Sequence, residues 1–311
     1  MKRPARAPRA ARPSLRALAT ETPHPRAAAL DDLSTRDLVA LLLDEERHAF
    51  TAAAAAGDDI ARAADLFAAA IEGGGRVVYV GAGTSGRLAA LDAAELPPTF
   101  GTDPRRVVAL IAGGRRAIDR AVEGAEDRAD DACRALARLR VGPRDLVVAI
   151  AASGVTPFTC AALDEARRRG ARTAFVTCGE AGGSADVTIH ASVGPEVVAG
   201  STRLKAGTAT KLVLNALSTA AMVRLGKVWR GRMVDLVASN AKLRARARRT
   251  VEELGGVSPR RAAALLAAAE GSVKLALAAA LLGAPIAEAR ARLDEAGGRL
   301  DRLAIHRARR R

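Results

Sequence analysis

Residues 76–98 read RVVYVGAGTSGRLAALDAAELPP. An unbroken apolar run stops at a glycine-rich loop, and a second apolar pattern starts directly after it. A short β-branched and aromatic run without polar alternation fits a strand covered on both faces, and the pattern after the loop has helical spacing. Gly81, Gly83 and Gly86 form a literal G-x-G-x-x-G in the turn between them. Such a turn brings the free N–H groups and the positive dipole end of a helix to one point, which suits a phosphate. The same spacing is the dinucleotide fingerprint, so the loop alone leaves the ligand open.

The alternation continues along the chain. RVVALI (106–111), DLVVAI (145–150), RTAFVT (172–177) and VTIHA (187–191) are further strand-like runs, most of them separated by helix-like segments. The expected fold is α/β, a doubly wound and mainly parallel sheet flanked by helices. Ahead of it, 34–50 opens on an N-cap serine and 58–75 ends in a glycine run, so both read as helices. Beyond residue 206 the strand signal stops. Residues 207–226 and 233–254 read as helices, followed by three short ones, a small C-terminal all-helical domain. The expected organisation is a basic, disordered tail (1–30), an N-terminal helical segment (31–56), the α/β domain (57–230) and the helical domain (231–311).

Bulk properties narrow the function. The 311 residues are 49% apolar but 2% aromatic, so the interior is built from Ala, Leu and Val. Of the net charge of +15, residues 1–26 carry +6 and residues 299–311 carry +5, which leaves +4 for everything between. With the charge in the tails, few aromatics to stack on bases and no reading helix, no specific nucleic-acid partner is expected. Cys133, Cys160 and Cys178 are scattered without metal-ligand spacing, so neither a disulfide framework nor a metal site is expected. The Arg-rich start has no apolar signal core, and 275–287 is too short for a span and contains Pro285. A soluble, cytoplasmic protein without a membrane partner is the expectation.

Ligands of open α/β sheets bind at the carboxyl ends of the strands. After the first strand the chain offers Gly83, Thr84 and Ser85; after the third it offers Ser153, Gly154 and Thr156, again opening a helix. Paired hydroxyls can donate to the several oxygens of a terminal phosphate ester, whereas a pyrophosphate needs close backbone approach more than hydroxyls. The second strand ends in Gly113–Arg116 rather than in the acid that would hold a ribose, although Arg115 and Arg116 leave a 2′-phosphate open. Ser85 and Ser153 read equally as helix caps when each is taken alone. A third stretch, PEVVAGSTRLKAGTATK (195–211), adds Glu196, Ser201, Thr202, Arg203, Lys205 and Thr208 just before a helix. Lys205 is the natural point charge for a phosphate, or else a salt-bridge partner.

These blocks, together with YVGAGTSGRLAALDAAELPPTFG, LIAGG, AVEGAEDRADD, AIAASGVTP and MVDLVASNAKL, carry a family resemblance. From about Thr20 onward the chain resembles the N-acetylmuramic acid 6-phosphate etherases, members of the sugar-isomerase (SIS) phosphosugar-binding fold. It departs from them at Leu96, where the family usually has Cys, at Leu204, where it usually has Met, and in its basic N-terminal extension. The resemblance implies cleavage of the lactyl ether by elimination and water addition, with no cofactor, on a homodimer. It implies catalytic glutamates at Glu95 and Glu126, and phosphosugar contacts from Gly83, Thr84, Ser85, Ser153, Gly154, Thr156, Glu196, Ser201 and Lys205. Without it, Glu95 reads as a surface acid closing a helix before Pro97–Pro98, and Glu126 as part of a solvated face. Two rival readings share the fold: an aldose–ketose isomerase using Glu196, and a sugar-phosphate-sensing regulator. The regulator would need a DNA-reading module, absent from residues 1–56, or would lack the two glutamates.

Overall fold

The structure, a computed structural model, describes residues 19–236 and 241–303. Each apolar run forms a strand: β1 (Val77–Gly81), β2 (Val107–Ile111), β3 (Leu146–Ile150), β4 (Arg172–Thr177) and β5 (Val187–His190). All pairings are parallel, in the order β2-β1-β3-β4-β5. The chain therefore leaves β1 on one side and returns on the other, which makes the carboxyl ends of β1 and β3 the switch point where such sheets bind ligands. Gly81 pairs with Ile150, so the two hydroxyl-bearing loops leave the sheet side by side.

Three helices precede β1: α1 (Thr35–Glu45), α2 (Arg47–Ala55) and α3 (Gly57–Glu72). Then α4 (Gly83–Phe100) follows β1, α5 (Ala129–Arg138) follows β2, α6 (Pro157–Arg168) follows β3, and α7 (Lys205–Arg224) follows β5. Alternate strand residues separate the two faces. Val77, Tyr79, Leu146, Val148, Ile150 and Val176 pack under α2, α3, α4 and α7. Val78, Val80 and Val147 pack against α5 and α6. Burial on both sides is why the strands read as continuous apolar runs.

The glycines of the 81–86 loop act in packing. A Cβ on Gly86 would lie 2.5 Å from Ile111 Cγ1 and 2.9 Å from Gly81 O, so the helix can sit this low on the strand ends with glycine there. The expectation that α4 closes at Glu95 is corrected, because it runs through Pro97 and Pro98 to Phe100. Proline's fixed φ is helical, so the pair costs α4 two N–H donors near its end without turning the chain. Gly101, at φ 62°, stops it and donates to Pro97 O.

The segment expected as one helix over 34–50 is broken at Glu46 into α1 and α2. Ser34 is the expected N-cap, accepting from Asp37 N–H. Residues 19–30, expected within a disordered tail, form short 3-10 turns with Thr20 and His24 buried. The rest of that tail, residues 1–18, and the basic end, residues 304–311, lie outside the described residues. The helix expected over 233–254 begins later: β6 (Val228–Trp229) and β7 (Arg232–Met233) make a hairpin, residues 237–240 lie outside the described residues, and α8 spans Ala241–Gly255. The three short helices are α9 (Pro259–Ala268), α10 (Val273–Leu282) and α11 (Ile286–Glu295). With α8 and the hairpin they enclose a second apolar cluster running from Trp229 to Leu303, so the hairpin straddles the boundary placed at 230/231. Asp235 joins this unit to the sheet domain, accepting from Lys227 and Lys274 at 2.8 and 2.6 Å, with its carbonyl against Gly101. Among the described residues, no single helix is long and apolar enough to cross a membrane.

Candidate active site

Three helix N-termini gather at the carboxyl edge of the sheet, and they differ in what satisfies them. A first turn leaves N–H groups without intrahelical partners. At α7 those groups are met from inside: Glu196, fully buried, accepts from Lys205 N at 3.2 Å and Ala206 N at 2.9 Å. Burial pushes the Glu196 carboxyl above its ordinary range despite these bonds. At α6, Pro157 has no N–H and Phe158 N donates to Glu126 O at 2.9 Å, while Thr159 and Cys160 turn back onto Thr156 O. At α4 the N-cap position is Ala82, which has no side chain to cap with. Among the described residues, the N–H groups of Gly83, Thr84 and Ser85 have no partner outside the helix. One helix end is open.

Hydroxyls surround that end. Thr84 and Ser85 are half-buried on its first turn, and their side chains make no hydrogen bond to another described residue. A Cβ on Gly207 would lie 3.6 Å from Thr84 Cγ2, which places the start of α7 against α4. Across the switch point, Ser153 and Thr156 are half-buried; Ser153 Oγ accepts from Val155 N at 3.4 Å, and Thr156 does not cap its helix. Gly154 has φ 79°, and a Cβ there would meet Glu180 O at 1.9 Å, so the loop's path requires glycine. Ser201 is half-buried in the turn before α7, where Leu204 N bonds to its carbonyl.

Lys205 does not present the free charge expected of it. Its ammonium is almost wholly enclosed and donates to Glu45 Oε2 at 2.5 Å. Glu45 Oε1 faces His24 Nε2 at 3.2 Å, and His24 Nδ1 accepts from Arg26 N, which puts the ring proton on the side of Glu45. Burial would raise the Glu45 carboxyl, but Lys205 and His24 outweigh it and hold the group below its ordinary range. Glu196 likewise spends both oxygens on backbone. Both residues lie at the site, yet each is occupied within the protein. His24 and Glu45 were not among the candidates, because they sit 160 residues or more from Lys205 and no local pattern joins them.

Glu95 and Glu126 are both exposed. Glu126 stands beside the site through its carbonyl on α6. Glu95 lies on the outer face of α4, one turn beyond Leu91, which is 45% exposed. Asp92, on the opposite side of α4, is buried and accepts from Tyr79 Oη at 2.9 Å and Ser218 Oγ at 3.0 Å. This clamp fixes the roll of α4 between β1 and α7, and its signal was an acid at a core position between buried Ala89 and Leu96. Burial pushes the thiol of Cys178, which donates to Ala206 O, up to about 12.

Comparison with known proteins bears on this arrangement. Residues 59–167 match the family model described as glucokinase regulatory protein N-terminal SIS domain. The N-acetylmuramic acid 6-phosphate etherase of Synechococcus elongatus is 50% identical over 286 residues, covering 91% of this chain and 93% of the relative. The enzyme of that name from Rubrobacter xylanophilus is 50% identical over 279 residues, covering 89% and 93%. The chain belongs to the N-acetylmuramic acid 6-phosphate etherases. A solved phosphoheptose isomerase from Francisella tularensis has a TM-score of 0.48 at 20% identity, covering 61% of this chain and 100% of that one.

Proposed function

We propose that this chain cleaves the D-lactyl ether of N-acetylmuramic acid 6-phosphate, giving N-acetylglucosamine 6-phosphate and D-lactate. The observation that carries this reading is the open N-terminus of α4, ringed by the hydroxyls of Thr84, Ser85, Ser153 and Thr156, with Glu126 tied to the adjoining helix. In this reading the 6-phosphate occupies that end, and Gly83 and Gly154 give the backbone its approach. Ser201 adds a hydroxyl from the third side, while Glu196 and Lys205 hold the start of α7 in place.

With the sugar in its open-chain form, the C2 proton is acidified by the C1 aldehyde. Glu126 takes that proton, and Glu95 protonates the C3 ether oxygen as the C3–O bond breaks, which leaves a C2=C3 double bond and lactate. Glu95, now ionised, removes a proton from water, whose hydroxide adds to C3, and Glu126 returns its proton to C2. The net change is addition of one water across the ether, and each carboxyl ends in the state in which it began.

The active species is a homodimer. Ser85 and Glu95 are ten residues apart on a helix that continues past both, which separates them by about 15 Å along its axis. A hexose 6-phosphate is shorter than that, so Glu95 serves the sugar bound by the other protomer. A reducing, cytoplasmic setting suits three free cysteines. The direct test is incubation with N-acetylmuramic acid 6-phosphate and enzymatic measurement of D-lactate. Isomerised sugar phosphate without lactate would overturn the reading.

A further inference from the structure

We propose that Arg87 recognises the lactyl carboxylate of the substrate; the proposal rests on the etherase reading above. That substrate carries two anions, a phosphate and a carboxylate, and the open end of α4 accounts for one. Lys205, at the start of α7, is already neutralised by Glu45. Arg87 lies at the start of the second turn of α4, two residues after Ser85, and is half-buried. Its Nε donates to Ile118 O at 3.0 Å, in the segment that leads to Glu126. That bond holds the guanidinium against the loop that runs on from β2 toward Glu126. Among the described residues, no carboxylate pairs with Arg87 and its two terminal nitrogens make no hydrogen bond, which leaves a rigid fork of the shape that binds a carboxylate. Ile118 also lines a groove of about 660 Å³, in which Ile111, Ile118 and Phe158 supply apolar surface for the lactyl methyl group. Arg115, Arg128, Arg134 and Arg138 also line this groove, but all four are exposed, Arg134 pairs with Asp131, and among the described residues none is held by such a bond to a carbonyl.

The contact exists before and during bond cleavage, so its loss weakens binding more than turnover. R87Q is expected to raise KM for N-acetylmuramic acid 6-phosphate about 10- to 100-fold, with kcat changed by less than about 3-fold. Inhibition by N-acetylglucosamine 6-phosphate, which lacks the lactyl group, should keep its wild-type constant. R87K, which retains the charge but not the fork, is expected to fall between the two in KM. It also serves as the test variant should R87Q fail to fold. R115A/R128A should match wild type. Equal weakening toward substrate and product would assign Arg87 to the phosphate loop and overturn the proposal, as would a KM effect carried by the Arg115/Arg128 variant. Absence of lactate release from the wild type would instead reject the underlying reading.

Discussion

Glu95 and Glu126 differ from the other candidate acid, Glu196, in being exposed, with carboxyl groups that make no hydrogen bond or ion pair among the described residues. An acid that must exchange protons with a substrate cannot already be committed, as Glu196 and Glu45 are. E95Q preserves shape but cannot transfer a proton, so lactate release is expected to fall about 10²- to 10⁴-fold with thermal stability unchanged. Turnover above a tenth of wild type would remove Glu95 from the mechanism. Asp145 illustrates a charge with a structural task. It accepts from Arg76 N, the Arg76 guanidinium and Gly142 N, stitching the starts of β1 and β3 together. Burial pushes its carboxyl up, but these donors outweigh burial and hold it below its ordinary range. A group lowered in the folded state contributes fully above the ordinary carboxylate range, and the contribution is lost as pH falls through the folded value. D145N should therefore be less stable than wild type by about 1–2 kcal/mol near neutrality, with a gap that narrows in acid. Denaturant melts from pH 7 down to pH 3 that show a constant gap would refute this.

The strands and the long helices were legible because burial on two faces, or on one stripe, imposes a pattern on neighbouring residues. The five runs read as strands are the five strands of the parallel sheet, to within a residue or so, whereas the short hairpin of β6 and β7 fell in a stretch without a strand signal. Helix ends were less legible where a rule about single residues met tertiary packing: Pro97–Pro98 did not stop α4, and Glu46 divided one apolar pattern into α1 and α2. The hydroxyl loops at Ser85 and Ser153 could be located from sequence, but which helix end stays open could not. That depends on a carboxylate from residue 196 and a carbonyl from residue 126 filling the other two. Because α4 is the open end, S85A should cost more affinity than S153A, whose hydroxyl already receives a local N–H. Each is expected to raise KM by about 10-fold or more, with Ser85 the larger. The reverse order in steady-state kinetics would move the phosphate toward α6. G154A should weaken both folding and substrate binding, because a Cβ at this positive φ strikes the Glu180 carbonyl. An unperturbed melting temperature and KM would show that the 179–182 turn yields freely.

A site shared between protomers makes a prediction that no single chain can satisfy. E95Q and the S85A/S153A double variant, each impaired alone at substrate below the raised KM, should recover part of the wild-type rate when mixed under conditions of subunit exchange, since a hybrid pair holds one intact site. No recovery despite demonstrated exchange would place each site within one chain. The open first turn of α4 also bears on the energetics of the folded state itself. In the proposed reading, three N–H groups and two hydroxyls that have no partner outside the helix among the described residues gain one when the phosphate binds, so the anion completes the native hydrogen bonding. A ligand that binds the folded chain and not the unfolded one stabilises it by RT ln(1 + [L]/Kd). Inorganic phosphate should then raise the melting temperature in proportion to the logarithm of its concentration once that exceeds Kd. At 100 times Kd the gain is about 2.7 kcal/mol, several degrees for a chain of this size. The cell's pool of phosphorylated sugars would thus act as a folding factor for the enzyme that consumes one of them.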